Sequence, residues 1–295
     1  MARKNILRLS DDERRLLARP AFFAGLVFTI LLLLVLTGLI NTLDESLLSN
    51  LRVNKLGLRD FFRAIEIPGQ RRIVYPFAIM VGVLFTFRRK DLLPLITTVS
   101  ALVFTNAVTG MFKILTLRAF PRNELGPEIR TLPIWDADKL GAFPSGHGAN
   151  VAAVCTLLIL AAYSARPRWR PLAPYIATFT LVPVIAVFVS SWALNFHWMS
   201  DLFAGLALGI CTTIVAALWA LHLPDHWRHP NLVGKRRSVG ALIVLGTMGV
   251  IFMFAGNSFL QESYISVVLV VGTLSAIAYL TSQSISRKFA RRKTN

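Results

Sequence analysis

Long apolar runs, separated by short polar segments, constrain this chain more than any other feature of its sequence. Clear examples lie at residues 20–40, 92–117 and 172–192. An α-helix needs about 20 apolar residues to cross the hydrocarbon core of a bilayer, and a soluble core does not require repeated runs of that length. Because 55% of the residues are hydrophobic, the sequence predicts an all-α, polytopic helical membrane protein.

Eight spans are predicted, and they divide the chain into three parts. The spans cover residues 20–40, 73–87, 92–117, 147–165, 172–192, 198–223, 239–256 and 264–282. We interpret 1–19 as a cytoplasmic amphipathic N-terminus and 20–223 as a six-span core. Residues 224–295 then hold a cytoplasmic loop, two additional spans and a basic tail. Between the first two spans, residues 41–72 carry apolar side chains at helical spacing among charges, which indicates one or two amphipathic helices at the outer interface.

The charge distribution indicates how the spans are oriented. The net charge is +17, from 32 Lys and Arg against 15 Asp and Glu. In a soluble protein this balance would indicate nucleic acid, but here the basic residues form short clusters between apolar runs, so no nucleic-acid partner is expected. With eight spans, the five clusters lie on one side of the membrane, which the positive-inside rule makes the cytoplasm. They occupy the N-terminus, 88–90, 166–170, 228–237 and the C-terminus.

A Pro-Ser-Gly-His tetrad at residues 144–147 lies at the outer start of the predicted fourth span. Ser145 and Gly146 can present a hydroxyl and backbone N–H groups at a helix start, where the helix dipole favours an anion. His147, in the first turn, can donate or accept a proton. A helix start with an incidental histidine would explain the tetrad equally well if it stood alone.

A second polar group lies on the same side of the membrane. His197 and Asp201 are four residues apart, so on a helix they share a face, and the carboxylate can orient the ring. Lys113 lies near the outer end of the third span. Together with His147, these residues could supply the nucleophile, the acid and the phosphate-binding cation that hydrolysis of a phosphate monoester needs. A hydrogen-bonded pair that caps a helix is the alternative for His197 and Asp201.

These residues resemble the three motifs of the type 2 phosphatidic acid phosphatase (PAP2) superfamily, over about 20–223. The family motifs are lysine, six residues and Arg-Pro; then Pro-Ser-Gly-His; then Ser-Arg, five residues, histidine, three residues and aspartate. The resemblance implies that His197 is the nucleophile and forms a phosphohistidine, that Asp201 orients it, and that His147 is the general acid. It implies no metal or other cofactor. It also implies a phosphate-binding set of Lys113, Ser145 and the amide of Gly146.

Two positions depart from the family pattern. Phe120 and Ser191 stand where the family has arginines that clamp phosphate, and neither carries a positive charge. Arg118 and Arg122 flank Phe120 by two residues on either side, and residues two apart in an extended loop point the same way. Either is therefore predicted to replace the first clamp. The candidates for replacing the second are Arg130 and Lys139.

The function expected from this resemblance is a membrane lipid phosphatase. It would hydrolyse a phosphate or diphosphate monoester of a lipid on the extracytoplasmic face of a bacterial inner membrane. The family acts on phosphatidate, phosphatidylglycerophosphate, isoprenyl diphosphates and lipid A phosphates, and the sequence does not choose among them. Two alternatives stay open at this point. One is a phosphotransferase that passes the same phosphohistidine group to another lipid, and the other is a non-catalytic lipid-phosphate binder or transporter.

Overall fold

The computed structural model describes residues 11–48, 57–89, 91–123, 126–129, 140–164 and 171–223. Within these ranges the protein is helical, and the described residues contain no β-strand beyond two isolated antiparallel bridges. The helices are α1 (Asp11–Leu36), α2 (Asn41–Ser46), α3 (Arg59–Ile65), α4 (Arg71–Arg89), α5 (Leu93–Thr116), α6 (Gly146–Tyr163), α7 (Ala173–Ala193) and α8 (Met199–Leu221). The predicted all-helical fold class is confirmed.

Among the described residues, five helices are long and apolar enough to cross a membrane, namely α1 from Arg14 onward, α5, α6, α7 and α8. They make this chain an integral membrane protein. The predicted second span, 73–87, is also a helix, but α4 is not among the five candidates. Its 19 residues begin with Arg71-Arg72 and end with Arg88-Arg89, which lowers its apolar character. The predicted seventh and eighth spans lie outside the described residues.

The six long helices alternate in direction, so that their ends form two opposite layers. Helix α8 lies centrally and packs against α1, α5 and α6, while α7 packs on α6 and α4 on α5. One layer contains the end of α5, the start of α6, the end of α7 and the start of α8. All the predicted site residues within the described ranges therefore lie in this layer, which we call the site end.

Glycines on α8 bring the starts of α6 and α8 unusually close together. A Cβ atom on Gly205 would overlap the carbonyl oxygen of Ser145, and a Cβ on Gly209 would overlap that of Ala149. Small residues permit this kind of close backbone approach between membrane helices. The approach lets the backbone N–H of Ser145 donate to the carbonyl of Asp201 at 2.9 Å. The two motif segments are thus joined directly through their backbones.

The segment between α1 and α4 contains short helices, as predicted, but it does more than cover the outer surface. Helix α2 is followed by α3 and by a 3₁₀ turn at Ile67–Gly69. Helix α3 packs on α7, and the 3₁₀ turn packs on both α6 and α7. Two acidic side chains of this segment, Asp44 and Glu66, are each only 2% exposed. The segment therefore delivers two buried carboxyl groups to the site end.

Candidate active site

The site is built around the start of α6, where the Pro-Ser-Gly-His tetrad turns into the helix. Ser145 is the N-cap residue, with extended backbone, and its Oγ accepts a hydrogen bond from the N–H of Gly148 at 3.2 Å. A serine in this position satisfies one of the unpaired N–H groups of the first turn. Gly146 and His147 follow as the first residues of the helix. The local sequence thus produces the anion-favouring helix start that the tetrad predicts.

The two motif histidines face each other at this end. The ring centroids of His147 and His197 are 6.0 Å apart, with their planes inclined by 65°. Lys113, in the last turn of α5, lies beside them, since a Cβ atom built on Gly146 would be 3.9 Å from its Nζ. The His147 side chain is 32% exposed, whereas that of His197 is 4% exposed. Three separate helix ends therefore bring two imidazoles and an ammonium group to one place.

His197 and Asp201 form the predicted pair, although it is a loose one. Nδ1 of His197 lies 3.6 Å from Oδ2 of Asp201, longer than a hydrogen bond, and Nδ1 has no hydrogen-bond partner among the described residues. Burial lowers the pKa of His197, and the neighbouring Asp201 opposes that shift. The imidazole therefore stays neutral, and able to act as a nucleophile, below the pH at which an exposed histidine becomes protonated. Because Nδ1 faces the carboxylate, Nε2 is the nitrogen left for chemistry.

Arg118 does not take the phosphate-binding role predicted for it. Its side chain is fully buried, and its donors go to protein oxygens: Nε to the carbonyl of Pro127 at 2.8 Å, and Nη1 to Ser200 Oγ and Asp201 Oδ1, both at 2.6 Å. Nη2 donates to Asp44 Oδ2 at 2.7 Å and lies 3.5 Å from Asn41 Oδ1. A guanidinium has five N–H groups, so none is left for a phosphate. Arg118 instead holds Asp201 in place.

Asp44 completes this buried network from α2. Its Oδ1 accepts from the backbone N–H of Ser200 at 3.0 Å, and its Oδ2 accepts from Ser200 Oγ at 2.5 Å as well as from Arg118. Asp201 also accepts from the backbone N–H of Trp198 at 3.0 Å, which caps the start of α8. Each buried charge thus has charged and hydrogen-bonded partners, as burial requires. The network fixes the carboxylate that faces His197.

Arg122 has a different environment from Arg118. Arg122 is exposed, and its guanidinium carbon lies 5.2 Å from the centroid of the Phe120 ring and 5.3 Å from the centroid of the Phe196 ring. The Phe120 ring is in turn 5.6 Å from the His197 ring, centroid to centroid. The two aromatic rings therefore hold a cation beside the nucleophile candidate. Of the two arginines predicted to replace the family clamp, only Arg122 is placed for it.

Ser191, the second departure from the family pattern, faces a carboxyl group. Its Oγ is buried and donates a hydrogen bond to Glu66 Oε1 at 2.9 Å, and the same oxygen lies 3.9 Å from His147 Nε2. Its predicted substitutes, Arg130 and Lys139, lie outside the described residues. Where the family has a cation, this chain thus has a hydroxyl and an acidic group. Among the described residues, no group of three or more His, Cys, Asp and Glu side chains could hold a metal ion; that the protein needs no metal stays a prediction.

Comparisons with known proteins show similarities of sequence and of fold. Residues 94–224 match the family model of the PAP2 superfamily. This part of the chain is therefore similar in sequence to the PAP2 superfamily. Its fold is similar to that of a transmembrane PAP2-type phosphatidylglycerolphosphate phosphatase from Bacillus subtilis, with a TM-score of 0.54 and 20% identity over 66% of this chain and 93% of that one. Comparison with curated proteins gave no significant match. The sequence similarity and the shared fold both concern the part of the chain that holds the two histidines.

Sequence reasoning missed two residues of the site, Asp44 and Glu66. Both lie in the amphipathic segment before α4, where a charged residue is normally a solvated one. They contact residues far away in the chain: Asp44 is 156 residues from Ser200, and Glu66 is 125 residues from Ser191. No periodicity or motif connects positions so distant. One feature of the sequence could have pointed to them. The predicted interfacial helices carry carboxylates and lie on the same side of the membrane as the two histidines.

Proposed function

We propose that this protein hydrolyses a phosphate or diphosphate monoester of a lipid through a phosphohistidine on His197. The observation that carries the proposal is the facing pair of imidazoles, 6.0 Å apart between centroids, with one of them paired to the buried Asp201. That gap lets one nitrogen approach phosphorus at about 3 Å while the other reaches the leaving oxygen, as in-line displacement requires.

The first step forms the phosphohistidine. Nε2 of His197 attacks phosphorus, the bond between phosphorus and the lipid oxygen breaks, and that oxygen takes the proton that His147 carries. Asp201 stabilises the imidazole ring as its charge develops, and Arg118 and Asp44 keep Asp201 oriented. In the second step His147, now neutral, accepts a proton from the attacking water. The phosphorus–nitrogen bond then breaks and inorganic phosphate is released.

The non-bridging phosphate oxygens need cations and N–H donors in both steps. Lys113 and the start of α6 would serve this task, with Ser145 fixing the local backbone and the amide of Gly146 as a donor. Arg122 supplies a second cation. Its contacts with Phe120 and Phe196 hold the guanidinium beside His197 without using its N–H groups. The altered motif thus retains two positive groups at the site.

The site end is proposed to face the outside of the cell. The basic cluster 88–90 includes the last two residues of α4, and the cluster 166–170 comes after α6 in the sequence. Both helix ends lie opposite the site end, and the positive-inside rule makes that opposite layer cytoplasmic. The segment 41–72 is also basic, and the proposal rests on the larger number of Lys and Arg residues in 1–19, 88–90 and 166–170 together. The substrate would accordingly be a lipid of the outer leaflet of a bacterial inner membrane.

A phosphate-release screen with purified protein tests this function. The panel contains phosphatidate, phosphatidylglycerophosphate, an isoprenyl diphosphate and a lipid A phosphate, without an added acceptor lipid. Wild type is expected to release inorganic phosphate from at least one of them, and His197→Ala to lower kcat by at least about a thousandfold. The matched control is His222→Ala, because His222 is exposed and lies at the far end of α8.

Three outcomes would count against the proposal. Turnover only when an acceptor lipid is added would favour a phosphotransferase. Binding of lipid phosphates without turnover in wild type would favour a non-catalytic binder. Equal activity of His197→Ala and wild type would show that the reaction does not proceed through a phosphohistidine on His197.

A further inference from the structure

Glu66 is a buried carboxyl group inside a site that binds an anion, and the mechanism above does not use it. It lies between α3 and the Ile67–Gly69 turn and is only 2% exposed. Its Oε1 accepts the hydrogen bond from Ser191 and lies 3.9 Å from Nε2 of His147. A carboxylate next to a phosphate site weakens phosphate binding unless it serves another group there. The geometry points to His147 as that group.

The backbone after Glu66 is fixed against the first turn of α6. A Cβ atom on Gly69 would lie 3.0 Å from Cβ of His147, so the turn packs on the histidine as closely as a backbone can. The carbonyl of Gly69 accepts from Asn150 Nδ2 at 3.2 Å, and Asn150 Oδ1 accepts from the hydroxyl of Tyr75 at 2.8 Å. The turn that follows Glu66 is therefore fixed against the start of α6.

Other titratable and charged groups surround this pair of residues. The groups that face His147 are His197 from the α7–α8 connection, Lys113 from α5 and Arg122 after α5. Glu66 is the carboxyl group near the ring, with Oε1 3.9 Å from Nε2 of His147. Burial raises the pKa of Glu66, while the hydrogen bond from Ser191 and the charges of Arg122 and Arg63 act in the other direction.

We propose that Glu66 is the positioning residue of His147, so that the site contains two histidine–carboxyl pairs, His197 with Asp201 and His147 with Glu66. The proposal deepens the phosphatase function and rests on it. Glu66 keeps on Nε2 of His147 the proton that His147 passes to the lipid oxygen. When water attacks the phosphohistidine, the same nitrogen takes the proton of the water and the pair is restored. No bond to Glu66 forms or breaks.

The pH dependence of Glu66→Gln tests this pairing. An acid catalyst works only while it is protonated, so the alkaline limb of kcat against pH marks the loss of its proton. Removing a negative charge 3.9 Å away destabilises the protonated ring, and the limb is expected to move to lower pH by about one unit. Above that limb, kcat should fall about tenfold, with KM nearly unchanged.

Two further variants make the result specific. Glu66→Asp keeps the charge but draws it away from His147 by one methylene, so its limb should lie between those of wild type and Glu66→Gln. Asp60→Asn removes an exposed charge from the same segment and should leave the profile unchanged. An unmoved alkaline limb in Glu66→Gln would overturn the proposal. So would a lower KM with an unchanged or higher kcat, because that pattern describes a carboxylate that merely repels phosphate.

A measurement independent of turnover separates this proposal from the proposed function. Nitrogen-15 NMR of histidine-labelled protein in detergent follows the protonation of His147 directly, in wild type and in Glu66→Gln. The proposal predicts that His147 loses its proton at lower pH in the variant, and identical titration curves would contradict it. If wild type releases no phosphate from any lipid, the phosphatase function fails, whereas the NMR comparison still decides whether the two side chains are paired.

Discussion

Arg118 shows how one side chain can join distant parts of this chain into a site. Its guanidinium reaches Asp44 on α2, Ser200 and Asp201 on α8, and the carbonyl of Pro127 in the connection between α5 and α6. Removing it would leave two buried carboxylates without their shared cation. An uncompensated buried charge is far more costly than the loss of one hydrogen bond. Arg118 is therefore expected to act on catalysis only through the fold and through Asp201.

Arg118→Ala is expected to destabilise the protein by about 3–5 kcal/mol, because Asp44 and Asp201 lose their partner. Arg122→Ala serves as the matched variant, since Arg122 is exposed and contacts two aromatic rings. It should change the free energy of unfolding by less than about 0.5 kcal/mol yet lower kcat/KM about thirtyfold, or about 2 kcal/mol of transition-state stabilisation.

Thermal unfolding in detergent and steady-state kinetics measure the two effects separately. A stable Arg118→Ala protein with weakened phosphate binding would restore the role that the sequence predicts for Arg118. A silent Arg122→Ala would show that the site has no arginine clamp among the described residues.

The motif residues could be predicted from the sequence, whereas their supporting residues could not. Fixed spacings place His147, His197, Asp201 and Lys113 at helix ends on one side of the membrane. The expectation for Arg118 failed because it assumed an extended loop around Phe120. In the structure, Arg118 forms an isolated bridge with Ile129, and Pro121–Asn123 is a 3₁₀ turn. Side chains two residues apart no longer point the same way across such a turn.

At the scale of the helices, the close contact of α6 with α8 sets the geometry of the site. Gly205→Ala is expected to cost about 1–3 kcal/mol of stability, since the new methyl group would push against the backbone oxygen of Ser145 and overpacked contacts relax poorly. It should also lower kcat, because it separates the start of α6 from Asp201. Gly25→Ala is the control, as its Cβ would meet Cys211 Sγ at an ordinary 3.4 Å.

Thermal unfolding and phosphate release, measured on both glycine variants, check this expectation. If Gly205→Ala were as stable and as active as Gly25→Ala, the close approach of the two helices would not matter for the site.

The helices themselves could be predicted well, with their bounds less accurate than their existence. The apolar runs predicted every long helix of the described core, because a segment that spans a bilayer must be hydrophobic. The first helix is already formed at Asp11, ahead of the predicted span that starts at residue 20, since a helix can continue beyond the membrane into polar sequence. It ends at Leu36, before a turn in which Gly38 has a φ of 72°. The length of an apolar run therefore predicts that a helix exists. The polar residues at its ends do not show at which residue the helical backbone begins or ends.

At the scale of the whole molecule, the alternating helices make a prediction about sidedness. In a protein whose native Cys155 and Cys211 are replaced by Ala, Ser46→Cys lies exposed at the site end and Pro171→Cys lies exposed at the opposite end. A membrane-impermeant maleimide added to intact cells should label Ser46→Cys, whereas Pro171→Cys should react only after the membrane is permeabilised. The reverse pattern would place the site in the cytoplasm.

The central claim, that His197 carries the phosphoryl group, is tested most directly by trapping the intermediate. Wild-type protein is mixed with a lipid phosphate labelled at phosphorus, quenched within milliseconds under alkaline conditions that preserve phosphohistidine, and analysed by peptide mass spectrometry. A base-stable, acid-labile phosphoryl group is expected on His197 of the wild-type protein and of His222→Ala. The His197→Ala protein should carry none. Phosphate release without any labelled protein, or label that persists in His197→Ala, would contradict the claim.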